Sequence, residues 1–506
     1  MKRPSPPVLV LWALTALLLG GGILGGTLKS PGSSPGRVVE AAGAASVPSP
    51  SPGLTTQTRL QDQAGEGLDT PLLPRLRSLL GMLVLGLLAW LFSVDRSRVA
   101  WRVILWGVAL QLLFALFILK TPLGEQIFDW LNTVVVALLG FTVEGARFIF
   151  GDLVYDNVPV GLGEAGSNAP VEEVPGRVAR TGASFAFNVL PTIIFFSSFM
   201  TVLYHLGIMQ WVVRGAAWVM QKTLGTSGAE TLSAAGNIFV GQTEAPLMIK
   251  PFIQSMTMSE LHAVMTAGFA TVAGGVLAAY VGMLMAYFPD IAGHLMAASV
   301  MSAPAALVMA KLMVPEDGEP ATRGSLKTEL EQPDVNVIDA ASRGAAEGLR
   351  LALNVGAMLL AFIALIALLN ALIGWAGGWV GLEDLTLEGI LGAALAPLTW
   401  LMGVPWSDAA TVGSLLGIKT VLNEFVAFFQ LSSLLAEEGA LEPRSVVITI
   451  YALSGFANFS SIAIQIGGIG GIAPSRRHDL SRLGLRAMVA GSLAAFMTAT
   501  VAGMLL

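Results

Sequence analysis

The chain has 506 residues, of which 54% are hydrophobic and only 12% charged, with a mean hydropathy of +0.72. That balance excludes an ordinary soluble protein and defines an integral membrane protein. The net charge of -6 is modest for this length and argues against nucleic acid as a partner. The chain has no cysteine, which excludes disulfides, thiolate metal sites, cysteine nucleophiles and a lipid anchor on cysteine.

Lys2 and Arg3 precede the apolar run VLVLWALTALLLGGGILGG, so residues 1–28 read as a secretory signal or an uncleaved signal anchor. Residues 29–73 are rich in Pro, Gly, Ser and Ala without an apolar period, which predicts a disordered linker on the outer, periplasmic side. From 74 to 506 the chain reads as one membrane domain. A first span covers about 79–94, and Arg96, Arg98 and Arg102 mark the following loop as cytoplasmic. A second covers 103–119. The next stretch, IFDWLNTVVVALLGFTVEGARFIF, is apolar but dotted with charge, and hydropathy leaves open whether it lies along the interface. Asp152, Asp156, Glu164, Glu172 and Glu173 suit an outer loop over 152–180, and a third span follows at 185–208. A fourth (260–287) and a fifth (289–313) are joined by the turn Phe288-Pro289-Asp290. Arg323, Lys327 and Arg343 place 315–346 in the cytoplasm; a sixth span is expected at 350–374, a seventh at 446–471 and an eighth at 487–505. Arg476, Arg477, Arg482 and Arg486 put the loop before the last span inside, and the C-terminus outside.

Two apolar regions are too interrupted to be simple spans, and they belong to an internal repeat. GQTEAP is followed, 24 residues after Glu244, by GFATVAGGV; VLNEFVAF is followed, 31 residues after Glu424, by GFANFSSIA. In this topology the two halves have opposite orientation. The expected architecture is therefore an all-α polytopic membrane protein, with about eight transmembrane helices plus two opposed re-entrant hairpins (about 225–253 and 405–436) in an inverted repeat. Such an arrangement points to a secondary transporter with its site at the midplane, and not to an enzyme.

A carboxylate near the bilayer centre costs about 2.5–3.5 kcal/mol on insertion scales, and Glu244 and Glu424 incur that cost in matching places. Backbone groups at an interrupted tip are tolerable only where they face protein, water or ligand. Gly236, Gly241, Gly413 and Gly417 suit such breaks, while Gly268, Gly274 and Gly275 would let the fourth span unwind. Taken singly, Thr271, Ser454 and Ser461 read first as polar glue between helices and only second as ligands. Lys250 and Lys419 read first as neutralising carboxylates within their own hairpins, and Arg476 and Arg477 are explained by topology. His205, His262, His294 and His478 lack ligand spacing. A membrane hydrolase lacks a nucleophile and base at suitable spacing, and a passive channel lacks a continuous polar stripe. A transporter of another small polar solute, such as a nucleobase or dicarboxylate, stays open on these physical grounds.

GIKTVLNEFVAF, Gly417 to Phe428, fits in full the signature Gly/Ala-X-Lys-X3-Asn-Glu-Phe-Val-Ala-aromatic of the concentrative nucleoside transporter family. FAFNVLP, GNIFVGQTEAP, GFATVAGGVLAAYV, ALSGFANFSSIAIQIGGIGG and APSRRHDLSRLGLRAMVAGSLAAFMTATVAGML resemble that family's segments in order, so the resemblance runs from about residue 80 to 506. It implies a homotrimer in the bacterial inner membrane, surrounded by lipid, that imports a nucleoside substrate with Na+. It further implies that Gln242, Thr243 and Glu244 meet the nucleobase, with Val276 packing on it. Glu424, Asn458 and Ser461 would hold the ribose hydroxyls, with Phe456 nearby. For Na+, Asn237 and Thr271 would supply side-chain oxygens, and Val240 and Val272 main-chain carbonyls. The position of Thr271 is often serine in sodium-coupled relatives, and some bacterial members use protons, so Glu244 stands as an alternative titrating site. Base preference rests on pocket shape and is not legible.

Overall fold

The computed structural model describes residues 70–155, 157–162, 172–180, 185–323, 334–379, 381, 385–437 and 439–506. The expected signal segment and the linker up to residue 69 lie outside these residues, as do Asp156, Glu164 and Lys327.

Three apolar helices come first, α1 (Leu72–Leu91), α2 (Trp101–Lys120) and α3 (Pro122–Phe150). The stretch that hydropathy left open is thus a single helix, started by Pro122 and capped by the Thr121 hydroxyl, which accepts from the Gly124 N–H at 3.0 Å. It is long and apolar enough to cross a bilayer. The acidic loop carries a two-stranded antiparallel ribbon, β1 (Asn157–Leu162) and β2 (Glu172–Arg180), the one sheet among the described residues. α4 (Leu190–His205) follows a π-helical turn and α5 (Ile208–Leu224) follows α4.

The first hairpin comprises α6 (Gly228–Gly236), an irregular tip and a 3-10 stretch (Ala245–Ser255), where Pro246 and Pro251 deny the chain α-helical hydrogen bonds. The fourth span is broken as expected, into α7 (Met258–Ala270) and α8 (Gly274–Leu284), and a turn leads into α9 (Ile291–Met313). α10 (Val337–Gly378) starts well before the apolar run that marks the sixth span. Its first turns carry Asp339, Arg343 and Glu347, which hydropathy counts against a span, and the Asn336 side chain caps it by accepting from the Asp339 N–H at 2.9 Å.

Beyond it, α11 (Leu387–Met402) turns by 116° into α12 (Trp406–Val421), which with α13 (Glu424–Leu435) makes the second hairpin. Gly413 and Gly417 do not break this hairpin; both lie inside α12, where Gly413 faces the Gly392 carbonyl and Gly417 the Leu391 side chain, so they let α11 and α12 pack closely. The break falls at Leu422 and Asn423 instead. Likewise Gly268 stays helical within α7, and the unwound residues are Thr271 to Ala273. The seventh span divides into α14 (Pro443–Leu453) and α15 (Phe459–Ile472), and α16 (Arg477–Leu505) closes the chain.

Eight helical segments among the described residues are long and apolar enough to span, and they sort into two layers. Over an 18-residue apolar stretch of each, Met258–Leu284, Ile291–Met313 and the last helical segment are 83%, 89% and 78% buried within the chain, whereas Val337–Gly378 and Phe185–His205 are 11% and 22% buried. α10 packs against α4 and turns apolar surface outward, with Leu360, Leu365, Leu368 and Leu372 exposed as lipid or a second copy requires, whereas every residue of α4 is at least partly covered. The two broken spans meet at their breaks. Gly455, between α14 and α15, has φ 148° and sits so close to the Phe269 and Ala270 carbonyls that a Cβ would approach each to 2.9 Å. Only glycine suits that position.

Each hairpin is tied at its foot to the start of the following broken span. The Ser227 hydroxyl, which caps α6, donates to Glu260 of α7 at 2.5 Å, and Lys311 of α9 pairs with Glu230 at 2.7 Å. At the other foot the Ser445 hydroxyl of α14 donates to Asp408 of α12 at 2.6 Å, and the Glu442 N–H donates to the same carboxylate at 2.9 Å.

Candidate functional site

The second hairpin resumes with Asn423 as N-cap of α13, its side-chain oxygen accepting from the Val426 N–H at 3.0 Å. Glu424 is therefore the first residue of a helix, where the positive end of the helix dipole favours a carboxylate. It is only 4% exposed. The Tyr280 hydroxyl donates to one of its oxygens at 3.1 Å, and the Asn458 amide to the other at 2.8 Å. Asn458 is itself the N-cap of α15 and accepts from the Ser461 N–H at 2.8 Å, so the break in the seventh span fixes the amide that holds the carboxylate. Tyr280 is clamped by Phe428, stacked at 4.2 Å, and by Phe425, edge-on at 4.9 Å. Phe456 is buried in the same break.

The first tip joins this group through Gln242, whose amide N–H donates to the Ser461 hydroxyl at 3.2 Å. Glu424, Asn458, Ser461 and Gln242 thus form one buried polar chain linking both halves of the repeat. Thr243 and Glu244 stand apart from it. Glu244 is exposed and accepts from the Thr243 hydroxyl at 3.0 Å. With Val240, Gly241 and Val276 it borders a cavity of about 350 Å³ that is closed on its far side by α4 and by Arg343 and Glu347 of α10. Arg343 pairs there with Glu347 at 2.8 Å and holds Asp334, outside the spans, at 2.7 Å and 2.9 Å; these hydrogen bonds hold the Asp334 carboxyl below the usual carboxylate range. Lys419 is buried and donates to the Ala452 carbonyl of α14 at 2.7 Å. Lys250 lines the Glu244 cavity.

Asn237 follows α6 at the tip, which is stitched down where the Ile238 carbonyl accepts from Ser299 at 2.7 Å and the Phe239 carbonyl from the Gly274 N–H at 3.0 Å. Its amide nitrogen donates to the Ser233 carbonyl at 3.0 Å, which leaves the side-chain oxygen buried without a hydrogen-bond partner. Thr271 donates its proton to the Ala267 carbonyl at 2.9 Å, so its oxygen lone pairs face outward from that bond. The Thr271 and Val272 carbonyls fall in the break between α7 and α8, and Val240 lies in the irregular tip. Hard, neutral oxygens of this kind fit Na+.

Tyr280, Gln465 and Glu347 belong to this region without any mark of their own in the sequence, and Arg343, legible there only as a cytoplasmic marker, borders the Glu244 cavity. Gln465 stands four residues after Ser461 on α15, the helical interval that puts both on one face, and that spacing was the available signal.

Opposed hairpins, two spans broken back to back and a buried polar chain between them define a secondary transporter. The comparisons agree. Residues 80–153 and 294–503 match the profiles described as the N-terminus and C-terminus of the Na+ dependent nucleoside transporter, and 186–287 match one described as nucleoside recognition. An uncharacterized transporter of Haemophilus influenzae is 44% identical over 85% of this chain and 97% of its own. Solute carrier family 28 member 3 of mouse is 42% identical over 84% of this chain, which spans 58% of that longer protein. Among solved structures, CNTnw in an inward-facing substrate-bound state aligns with TM-score 0.75 at 44% identity, over 85% of this chain and 97% of that one. The chain belongs to the Na+-dependent, concentrative nucleoside transporter family.

Proposed function

We propose that the protein is a symporter that carries nucleosides inward with Na+ by alternating access. The observation that supports this best is the state of Glu424. A carboxylate offers about four acceptor positions, and Tyr280 and Asn458 occupy two. Two remain at a buried, preorganised anion, the number that a vicinal ribose diol fills. Gln242, Thr243, Glu244 and Val276 then face the base, with Asn458, Ser461 and Phe456 on the ribose side. Asn237, Thr271, Val240 and Val272 are the proposed Na+ ligands, and the unpartnered Asn237 oxygen is the feature that supports this assignment. Selectivity for the ribose follows, because a missing hydroxyl leaves Glu424 or Asn458 buried without a partner.

One Na+ moving down 100 mV contributes about 2.3 kcal/mol. A tenfold Na+ gradient adds about 1.4 kcal/mol, enough together for about a few-hundredfold accumulation of a neutral nucleoside at one-to-one coupling. Coupling requires that Na+ order the first tip so that the nucleoside binds the loaded state better; the nucleoside then tightens Na+ by the same factor. Proton coupling is the second reading. It rests on Glu244, which is exposed to the cavity and has the Thr243 hydroxyl as its side-chain partner among the described residues. The outward apolar face of α10 suits a homotrimer in the bacterial inner membrane, with the linker and C-terminus outside. Counterflow of radiolabelled uridine, adenosine, uracil and succinate into proteoliposomes, with and without a Na+ gradient, tests the reading. Uptake of uridine or adenosine that rises with the Na+ gradient is expected; no nucleoside uptake under either a Na+ or a proton gradient overturns it.

A further inference from the structure

We propose that Gln465 is a positioning residue: it fixes which end of the Gln242 amide is turned toward the nucleobase, so that the site presents an N–H donor and selects for a base acceptor. This rests on the reading of Gln242 as a base contact.

The two ends of a glutamine amide look alike in shape, and only hydrogen bonding distinguishes them. Here the ambiguity is removed by the backbone. Gln465 is 0% exposed, and one polar atom of its amide lies 3.1 Å from the Met265 carbonyl of α7. A carbonyl can only accept, so that atom is the nitrogen Nε2. The same Nε2 lies 2.9 Å from the Gln242 side chain. Its second proton therefore demands the Gln242 oxygen there, and the Gln242 nitrogen must point the other way. It does, donating to the Ser461 hydroxyl at 3.2 Å. Nε2 of Gln242 has two protons, and Ser461 takes one. The other is what the site offers a ligand.

This relay crosses three elements, from α7 through α15 to the first tip. It needs close approach to α7, and Gly268 provides it. A Cβ there would lie 2.8 Å from the Gln465 nitrogen and 2.9 Å from the Gln242 Cβ.

The test measures KM for uridine against cytidine, and for inosine against adenosine, in proteoliposomes of the full chain. Each pair exchanges an acceptor for a donor at one edge of the base. In Gln465→Glu the side chain accepts where it formerly donated, Gln242 reverses, and the preference within each pair should shift at least about fivefold away from that of the unaltered protein, with Na+ dependence and maximal rate retained. In Gln465→Leu and Gly268→Ala both amide orientations become available, and the ratios should approach one. If these variants raise all KM values by a common factor and leave the ratios alone, Gln465 is a packing residue and the proposal fails. The unaltered protein gives a check independent of folding. Deleting a base acceptor, as in 3-deazacytidine, 1-deazaadenosine, 4-deoxyuridine or 6-deoxyinosine, should weaken at least one carried nucleoside about tenfold, and indifference to every such deletion overturns the proposal. If no nucleoside is carried at all, the nucleoside reading itself fails, a result distinct from unchanged ratios.

Discussion

The two hairpins carry a carboxylate in matching places, at the turn into the second arm, yet the two acids live differently. Glu424 is buried, starts an α-helix and is held by Tyr280 and Asn458; Glu244 is exposed, lies just before a 3-10 stretch and borders a cavity. The cause is local. Asn423 caps a regular helix in the second hairpin, whereas Pro246 and Pro251 prevent one in the first. Inverted repeats thus supply two equivalent acids, and the residues around each decide whether it is a fixed anchor or an adaptable contact. In such a pair the preorganised acid should carry more of the binding energy, because its orientation is settled before the ligand arrives.

The comparison is most exposed to Glu424→Gln. Hydrogen bonds to a charged group contribute about 1.5–3 kcal/mol each, so losing the charge against two ribose hydroxyls should weaken nucleoside binding about 100-fold or more. Calorimetric titration of the purified, correctly assembled variant measures it, and unaltered affinity removes Glu424 from the site. Tyr280→Phe removes one of the two bonds that orient this acid and should cost about tenfold in nucleoside KM, with Na+ affinity unchanged. Glu244→Gln should cost only about threefold to fivefold under a Na+ gradient, as expected of an exposed group. A loss as large as that of Glu424→Gln would erase the asymmetry; abolished uptake under every gradient would favour proton coupling. The smallest effect is expected at the rim. Since Arg343 keeps the Asp334 carboxyl below its ordinary value, their pair stabilises the fold above the unfolded carboxyl's range and loses that contribution as pH falls through the lowered folded value. Asp334→Asn should therefore lower the free energy of unfolding slightly at neutral pH, by less than about 1 kcal/mol, and the gap should begin to close below about pH 4. A gap independent of pH would assign the loss to packing.

Much of this was legible in the chain. Long apolar runs located the spans, and the interrupted segments located the hairpins, because polar atoms are tolerated in a bilayer only where the backbone breaks. Two things escaped for physical reasons. The start of α10 is helical yet charged, so a scale that counts apolarity began the helix at the lipid and not at its cap. Gly413 and Gly417 were taken for breaks when they are contact points between α11 and α12, since glycine's small size and its backbone freedom leave the same mark in a sequence. The partnerships were the least readable. Gln465 and Gln242 are 223 positions apart, and Tyr280 and Glu424 are 144 apart; spacing along the chain has nothing to say about either.

The tied feet of the hairpins have a mechanical consequence. With Ser227 bound to Glu260 and Asp408 to Ser445, each hairpin is a lever pivoted at its base. α6 has 9 residues and α12 has 16, which makes arms of about 14 Å and 24 Å. A rotation of about 5° at the pivot would swing the longer arm's end by about 2 Å and the shorter by about 1 Å. Either displacement carries a hydrogen bond of this kind past about 3.5 Å, the longer arm's by the wider margin. A tilt of a few degrees at either foot is therefore enough to part a tip from the break it faces, Glu424 from Asn458 or the Phe239 carbonyl from the Gly274 N–H, with the arm itself left intact.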